Sequence, residues 1–223
     1  MKNKFSILIF VMATLVVFSC KNKEAADAQV DAAGEVAEAE GMSYDVNTEM
    51  SKVMWVGSKP TGQHNGSINL SEGSVAIENG EISGGSFVLD MNSITVLDLE
   101  GDQKGDLENH LKGSAEGKED HFFNVSQFPT ATFEITKISG LEGNEAANKL
   151  VYGNLTMRGV TKQIGFPAMV SVGETGVKVK SPSFSINRTD WGVNYGSKSV
   201  FDDLKDNFIN DEIELSVNLM AGS

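Results

Sequence analysis

The chain has 223 residues, a net charge of −13 and a single cysteine. An acidic surface of that size repels the phosphate backbone and anionic lipid headgroups, which argues against nucleic-acid binding and against electrostatic docking on a membrane. One cysteine also excludes an internal disulfide.

The N-terminus opens with Lys2 and Lys4, followed by an apolar run over residues 7–18 that only Thr14 interrupts. A permanent transmembrane helix needs about 20 apolar residues, so this run has the length of a signal-peptide core. It ends in Ser19-Cys20, which resembles the lipobox of bacterial lipoproteins. The resemblance implies a signal peptide over 1–19 and several acyl chains on Cys20, enough for a stable membrane anchor. Removing Lys2 and Lys4 takes the net charge from −13 to −15. The other reading is an uncleaved anchor with a reduced Cys20. By analogy with lipoprotein sorting, Lys21 in place of a retaining Asp favours the outer membrane.

Residues 20–42 carry six acids among many alanines and no aromatic residue. So acidic and weakly apolar a segment buries too little surface to offset its ordering entropy, and a flexible tether is expected. A short acidic helix is the alternative, since Ala and Glu are good helix formers.

The texture changes at residue 43. Short apolar runs alternate with period two and are punctuated by glycine. Every second residue of 212–219 is apolar; Phe87, Leu89 and Met91 share one face, as do Ile164, Phe166, Ala168 and Val170. Strands with one apolar face must bury it against another sheet or by closure. Asn79-Gly80, Glu142-Gly143-Asn144 and Gly173-Glu174-Thr175-Gly176 are hairpin signals. Residues 106–112 and 199–207 have helix-like composition and spacing. There is no internal repeat, and 43–221 suits one domain.

Four blocks occur in order across 43–221. They are Tyr44-Asp45-Val46 leading to Ser51-Lys52-Val53-Met54-Trp55; His110-Leu111-Lys112 with Phe122-Phe123-Asn124-Val125 and residues 128–133; residues 153–162, Gly153 to Lys162; and residues 185–192 around Arg188-Thr189-Asp190-Trp191. Together they resemble the YceI-like family. Leu107-Glu108-Asn109 replaces the frequent Arg-Asp pair before the His-Leu step, residues 114–119 look inserted, and Trp191 stands at a usual Phe. The resemblance implies an all-β fold: an extended antiparallel lipocalin-like β-barrel with one or two short helices in loops. It also implies an elongated apolar cavity for a polyisoprenoid or similar long-chain lipid, and no catalytic residue set.

Alternation names inward positions: Trp55, Phe87, Leu89, Phe133, Ile135, Leu155, Met157, Phe166, Phe184 and Ile186, together with Ile68, Val75, Ile77, Leu215 and Val217. Each is a candidate tunnel wall, with plain core packing as the ordinary reading, because alternation assigns a face but not a cavity. His64, His110, Arg158 and Arg188 are rim candidates. A rim arginine suits a phosphate headgroup, yet it serves turn carbonyls and carboxylates equally well. No metal site or cofactor is expected, since neither His64, His110 nor His121 has a partner at tight ligand spacing. Signatures of hydrolases, metalloproteases and phosphate loops are absent.

The expected function is non-catalytic binding of a long-chain isoprenoid or fatty lipid. It serves transport, storage or sequestration in the cell envelope by a lipid-anchored protein facing the periplasm. Homodimerisation is compatible with this. The alternative is an envelope interaction or stress-response module whose barrel is filled by its own side chains and holds no lipid.

Overall fold

The computed structural model describes residues 26–222; the signal peptide expected over 1–19 and the lipidation site expected at Cys20 lie outside the described residues. Twelve strands and one α-helix follow in chain order: β1 (Ala26–Asp27), β2 (Gln29–Ala32), β3 (Met42–Asp45), β4 (Lys52–Lys59), β5 (Gly62–Glu78), β6 (Glu81–Val96), α1 (Gly101–Lys112), β7 (Thr130–Gly140), β8 (Lys149–Met157), β9 (Val160–Gly173), β10 (Gly176–Lys180), β11 (Phe184–Asn187) and β12 (Glu212–Gly222).

This is not the lipocalin-like barrel expected from the sequence. The strands form one twelve-stranded sheet of order β1-β11-β12-β10-β9-β8-β7-β6-β5-β3, with β2 against β9 and β4 against both β12 and β5 off that path. The β1–β11 pair is parallel, so the sheet is not antiparallel throughout. Two local causes break next-neighbour order. β11 is only four residues long, and an irregular stretch separates it from β12. β12 then lies between β10 and β11, with β10 paired to Gly222 through Asn218 and β11 to Leu215 through Glu212.

Hairpin chemistry explains two of the longest pairings. β5 and β6 turn at Asn79-Gly80 (φ 51° and 81°), and β8 and β9 at Arg158-Gly159 (φ 50° and 74°). Both central residues have positive φ, the requirement of the two-residue turn whose twist matches the flanking strands. The alternation appears in the burial pattern: Phe87, Leu89 and Met91 are buried, as are Ile164, Phe166, Ala168 and Val170. Inward side chains from β4 to β12 meet in one apolar interior.

The helix expected at 106–112 is longer and starts at Gly101; Gly113 ends it at φ 73°, its N–H bonding back to the Asn109 and His110 carbonyls. The helix expected at 199–207 is absent apart from a 3-10 turn at Lys205–Asn207. Asp203 and Lys205 sit at φ 62° and 49°, which no right-handed helix accommodates.

Residues 26–32, within the stretch read as a flexible tether, lie on the sheet instead. Ala26 and Asp27 pair with Phe184 and Ser185, and Gln29–Ala32 pairs with β9. Asn154 secures the chain beyond them: its side-chain oxygen accepts from the Gly34 N–H and its amide donates to the Gly34 carbonyl, both at 2.8 Å. Backbone pairing needs no apolar side chain, so this seating left no trace in hydrophobic pattern. No helix among the described residues is long and apolar enough to cross a membrane.

Candidate functional site

The interior holds two adjacent chambers. The larger, of about 300 Å³, is lined by β4, β5, β6, β7, β8, β11 and β12, by α1, and by loop residues that include Phe122 and Phe123. The smaller, of about 100 Å³, lies away from α1 and has an entirely apolar wall. Val53, Leu89, Leu155 and Leu215 belong to both walls.

Of the fifteen apolar candidates, fourteen line these chambers, Ile68, Val75, Leu215 and Val217 among them, and Ile77 lines neither. Trp55, Leu89, Leu155, Met157 and Ile186 line the larger one; Phe87, Leu89, Phe133, Ile135, Leu155, Phe166 and Phe184 line the smaller one. In the smaller chamber four phenylalanines form a chain. Phe87 and Phe133 have centroids 6.3 Å apart, Phe133 and Phe166 5.8 Å, and Phe166 stacks on Phe184 at 4.4 Å and 6°. Such ring pairs hold each other beyond their area burial, which gives the wall a fixed shape. Gly153 makes room for this chain: a Cβ there would lie 2.2 Å from Phe133 Cζ.

Other residues of the larger chamber went unrecognised in the sequence. Leu107 and Leu111 stand one helical turn apart on α1, and Phe122 and Phe123 follow it; all four line the chamber. The Leu107/Leu111 spacing was the available signal, and the apolar Phe122-Phe123 pair after the helix was another.

The rim candidates separate into different roles. His64 and His110, with Leu107, line both the larger chamber and an outer depression formed by α1, so they stand at the mouth. His64 Nδ1 lies 2.9 Å from Asp98 Oδ2. Burial would raise the Asp98 pKa, but hydrogen bonds from the Asn65 backbone and His64 outweigh it and hold the carboxyl below its ordinary value. His110 Nε2 lies 2.8 Å from His121 Nδ1, one ring donating and the other accepting. Burial, reinforced by the charges of Lys118 and His121, pushes the His110 pKa down.

Arg188 is in the wall, 2% exposed. Its guanidinium donates to the carbonyls of Asn210 (3.0 Å), Val193 (2.6 Å) and Ile209 (3.1 Å) and pairs with Asp211 at 3.5 Å. Arg158 does not line either chamber. It donates to the carbonyls of Phe122, Asp120 and Gly192 and faces the Asp120 carboxylate at 3.3 Å, tying the loop after α1 to the turn after β11. Among the described residues no group of three or more His, Cys, Asp or Glu side chains is placed to hold a metal ion.

A β domain with an apolar interior and a histidine-flanked mouth defines the class of small binding proteins that take up an apolar ligand. Residues 44–221 match the YceI-like domain model, and the chain belongs to this family of non-catalytic, hydrophobic-ligand-binding domains. Among solved structures it is similar to Burkholderia cenocepacia BcnA, at 20% identity and a TM-score of 0.59 over 79% of this chain and 99% of that one. It is also similar to a polyisoprenoid binding domain from Saccharophagus degradans implicated in plant cell wall breakdown, at 16% identity and a TM-score of 0.58 over 85% and 99%. At these identities the likeness concerns the fold. No curated protein matches the sequence.

Proposed function

We propose that the protein binds a long-chain apolar lipid, a polyisoprenoid or similar, through its two chambers and carries, stores or sequesters it in the bacterial cell envelope. The observation that carries this reading is the smaller chamber, whose wall is apolar throughout and shares four side chains with the larger one nearer the mouth. Transfer of each CH₂ group out of water contributes about 0.8 kcal/mol, so a chain of modest length is held without a charged contact. The solved relative whose description names polyisoprenoid binding supports the same ligand class.

The anchor belongs to this proposal. Cys20 precedes the first strand by so few residues that the extended chain between them spans at most about 20 Å, taking roughly 3.3–3.6 Å per residue. An acylated Cys20 would therefore hold the domain near the bilayer from which an apolar ligand is taken, raising its effective concentration there. Native mass spectrometry of the purified domain, followed by lipid extraction, is the test. A protein that emerges empty and takes up no added long-chain lipid refutes the binding. Incorporation of labelled palmitate that persists in Cys20→Ala refutes the anchor.

A further inference from the structure

The two tryptophans are placed in contrasting ways. Trp191 is fully buried and its indole N–H donates to the Leu155 carbonyl at 3.0 Å. Trp55 lines the larger chamber, and its Nε1 is the one buried side-chain nitrogen or oxygen without a hydrogen-bond partner among the described residues. A buried donor left unpaired is costly, and native structures seldom keep one without a reason.

No acceptor in the surroundings bonds to Nε1. Trp55 is paired across the sheet with Gly66 on β5 and Leu215 on β12. Its ring lies over Gly66, where a Cβ would come within 2.5 Å of the indole Cε2. Its neighbours along the same face of β4 are Val53 and Gly57. None of these side chains accepts a hydrogen bond.

Resting on the lipid-binding reading above, we infer that the ligand is an amphiphile with an uncharged, hydrogen-bond-accepting head, such as a carbonyl. The head is seated against Trp55 Nε1 in the larger chamber, and the tail runs into the smaller one. The charge of the head follows from the only guanidinium in the chamber wall. Arg188 is already engaged by three carbonyls and Asp211, so a carboxylate or phosphate drawn inside against Trp55 would find that guanidinium already neutralised. His64 and His110 are held at the mouth by Asp98 and His121, and Lys59 there is exposed.

The test compares three probes of matched length: 2-heptadecanone, heptadecane and palmitate. Wild-type protein binds the ketone tightest. Trp55→Phe keeps an aromatic ring and removes the N–H; it weakens the ketone about tenfold more than it weakens the alkane, the size of one good hydrogen bond, and an unshifted Trp191 indole resonance shows that the variant is folded. In the wild-type ¹H–¹⁵N spectrum the Trp55 indole resonance moves downfield with the ketone and not with the alkane, while that of Trp191 stays in place. If ketone and alkane respond equally to Trp55→Phe, or palmitate binds wild type tighter than the ketone, this inference is overturned and lipid binding stands. If none of the three binds, both fall.

Discussion

His110 and His121 face each other nitrogen to nitrogen at 2.8 Å, beneath Tyr195, whose ring stacks on His121 with centroids 4.0 Å apart. The contact requires at least one neutral ring, and it sits where α1 and the loop after it close over the chamber. Burial is the main force lowering the His110 pKa from 6.5, aided by Lys118 and His121. The unfolded chain thus binds that proton more readily than the folded one. Below about pH 6.5 the unfolded state takes up more protons, and stability falls with pH until the lowered folded-state value is passed. Thermal melts between about pH 7 and pH 5 should show a falling midpoint in wild type and a flatter profile in His110→Gln. Parallel profiles for the two proteins would rule this out. Asp98 and Asp211, whose pKa values are lowered by hydrogen bonds and cations that outweigh burial, lose their contributions only at more acid pH.

The strand faces were legible in the sequence because period-two alternation survives in Phe87-Leu89-Met91 and in Ile164 to Val170. The turn at Asn79-Gly80 was legible because only special residues accept positive φ twice. What alternation does not encode is whether an inward side chain meets another or a void, so the wall residues were nameable and the chambers were not. The sheet order was hidden for a related reason. The pairing of β4 with both β12 and β5 is made by backbone groups, and the N-terminal pairings are made by an Ala-rich stretch without apolar pattern. The short helix expected near residue 200 failed on two residues, Asp203 and Lys205, whose backbone is left-handed.

Arg158 carries two burdens at once. It occupies a positive-φ turn position (50°) that disfavours a branched L side chain, and its guanidinium bonds three backbone carbonyls across 34 to 38 residues of sequence. Arg158→Ala keeps the strained backbone and loses the bonds; a cost of about 1–3 kcal/mol is expected. Arg158→Gly loses the same bonds but relaxes the turn, and should be more stable than the Ala variant by roughly 1 kcal/mol. Urea denaturation of the three proteins measures both steps. An Ala variant as stable as wild type would show that the loop after α1 is held by its apolar contacts alone.

Gly153 and Phe133 form a second dependency. The ring occupies the space a Cβ at 153 would need, 2.2 Å from Cζ. Gly153→Ala should push Phe133 toward the smaller chamber, costing about 1–3 kcal/mol through overpacking and weakening lipid binding. Adding Phe133→Leu removes the obstructing ring atoms, so the double variant should recover part of the stability lost by Gly153→Ala. A double-mutant cycle reads this coupling directly; strictly additive effects would mean that the backbone of β8 shifts to accept the methyl group.

Val53, Leu89, Leu155 and Leu215 border both chambers, so enlarging one of them tests whether a single ligand spans the two. Leu89 is 9% exposed and Leu155 8%, and each packs against the core. Leu155 also supplies the carbonyl that receives the Trp191 N–H, which makes Leu89 the cleaner site. Leu89→Phe adds volume at the shared wall at an expected stability cost of about 1–3 kcal/mol. Chain-length dependence is the informative readout. In wild type each added CH₂ should tighten binding by a factor of about four, the equivalent of 0.8 kcal/mol, until the tail fills the smaller chamber. In Leu89→Phe the series should level off at shorter chains, because the tail stops at the new ring, while short ligands bind as in wild type. Identical plateaus in the two proteins would show that the tail does not pass Leu89 and that the smaller chamber is a packing void.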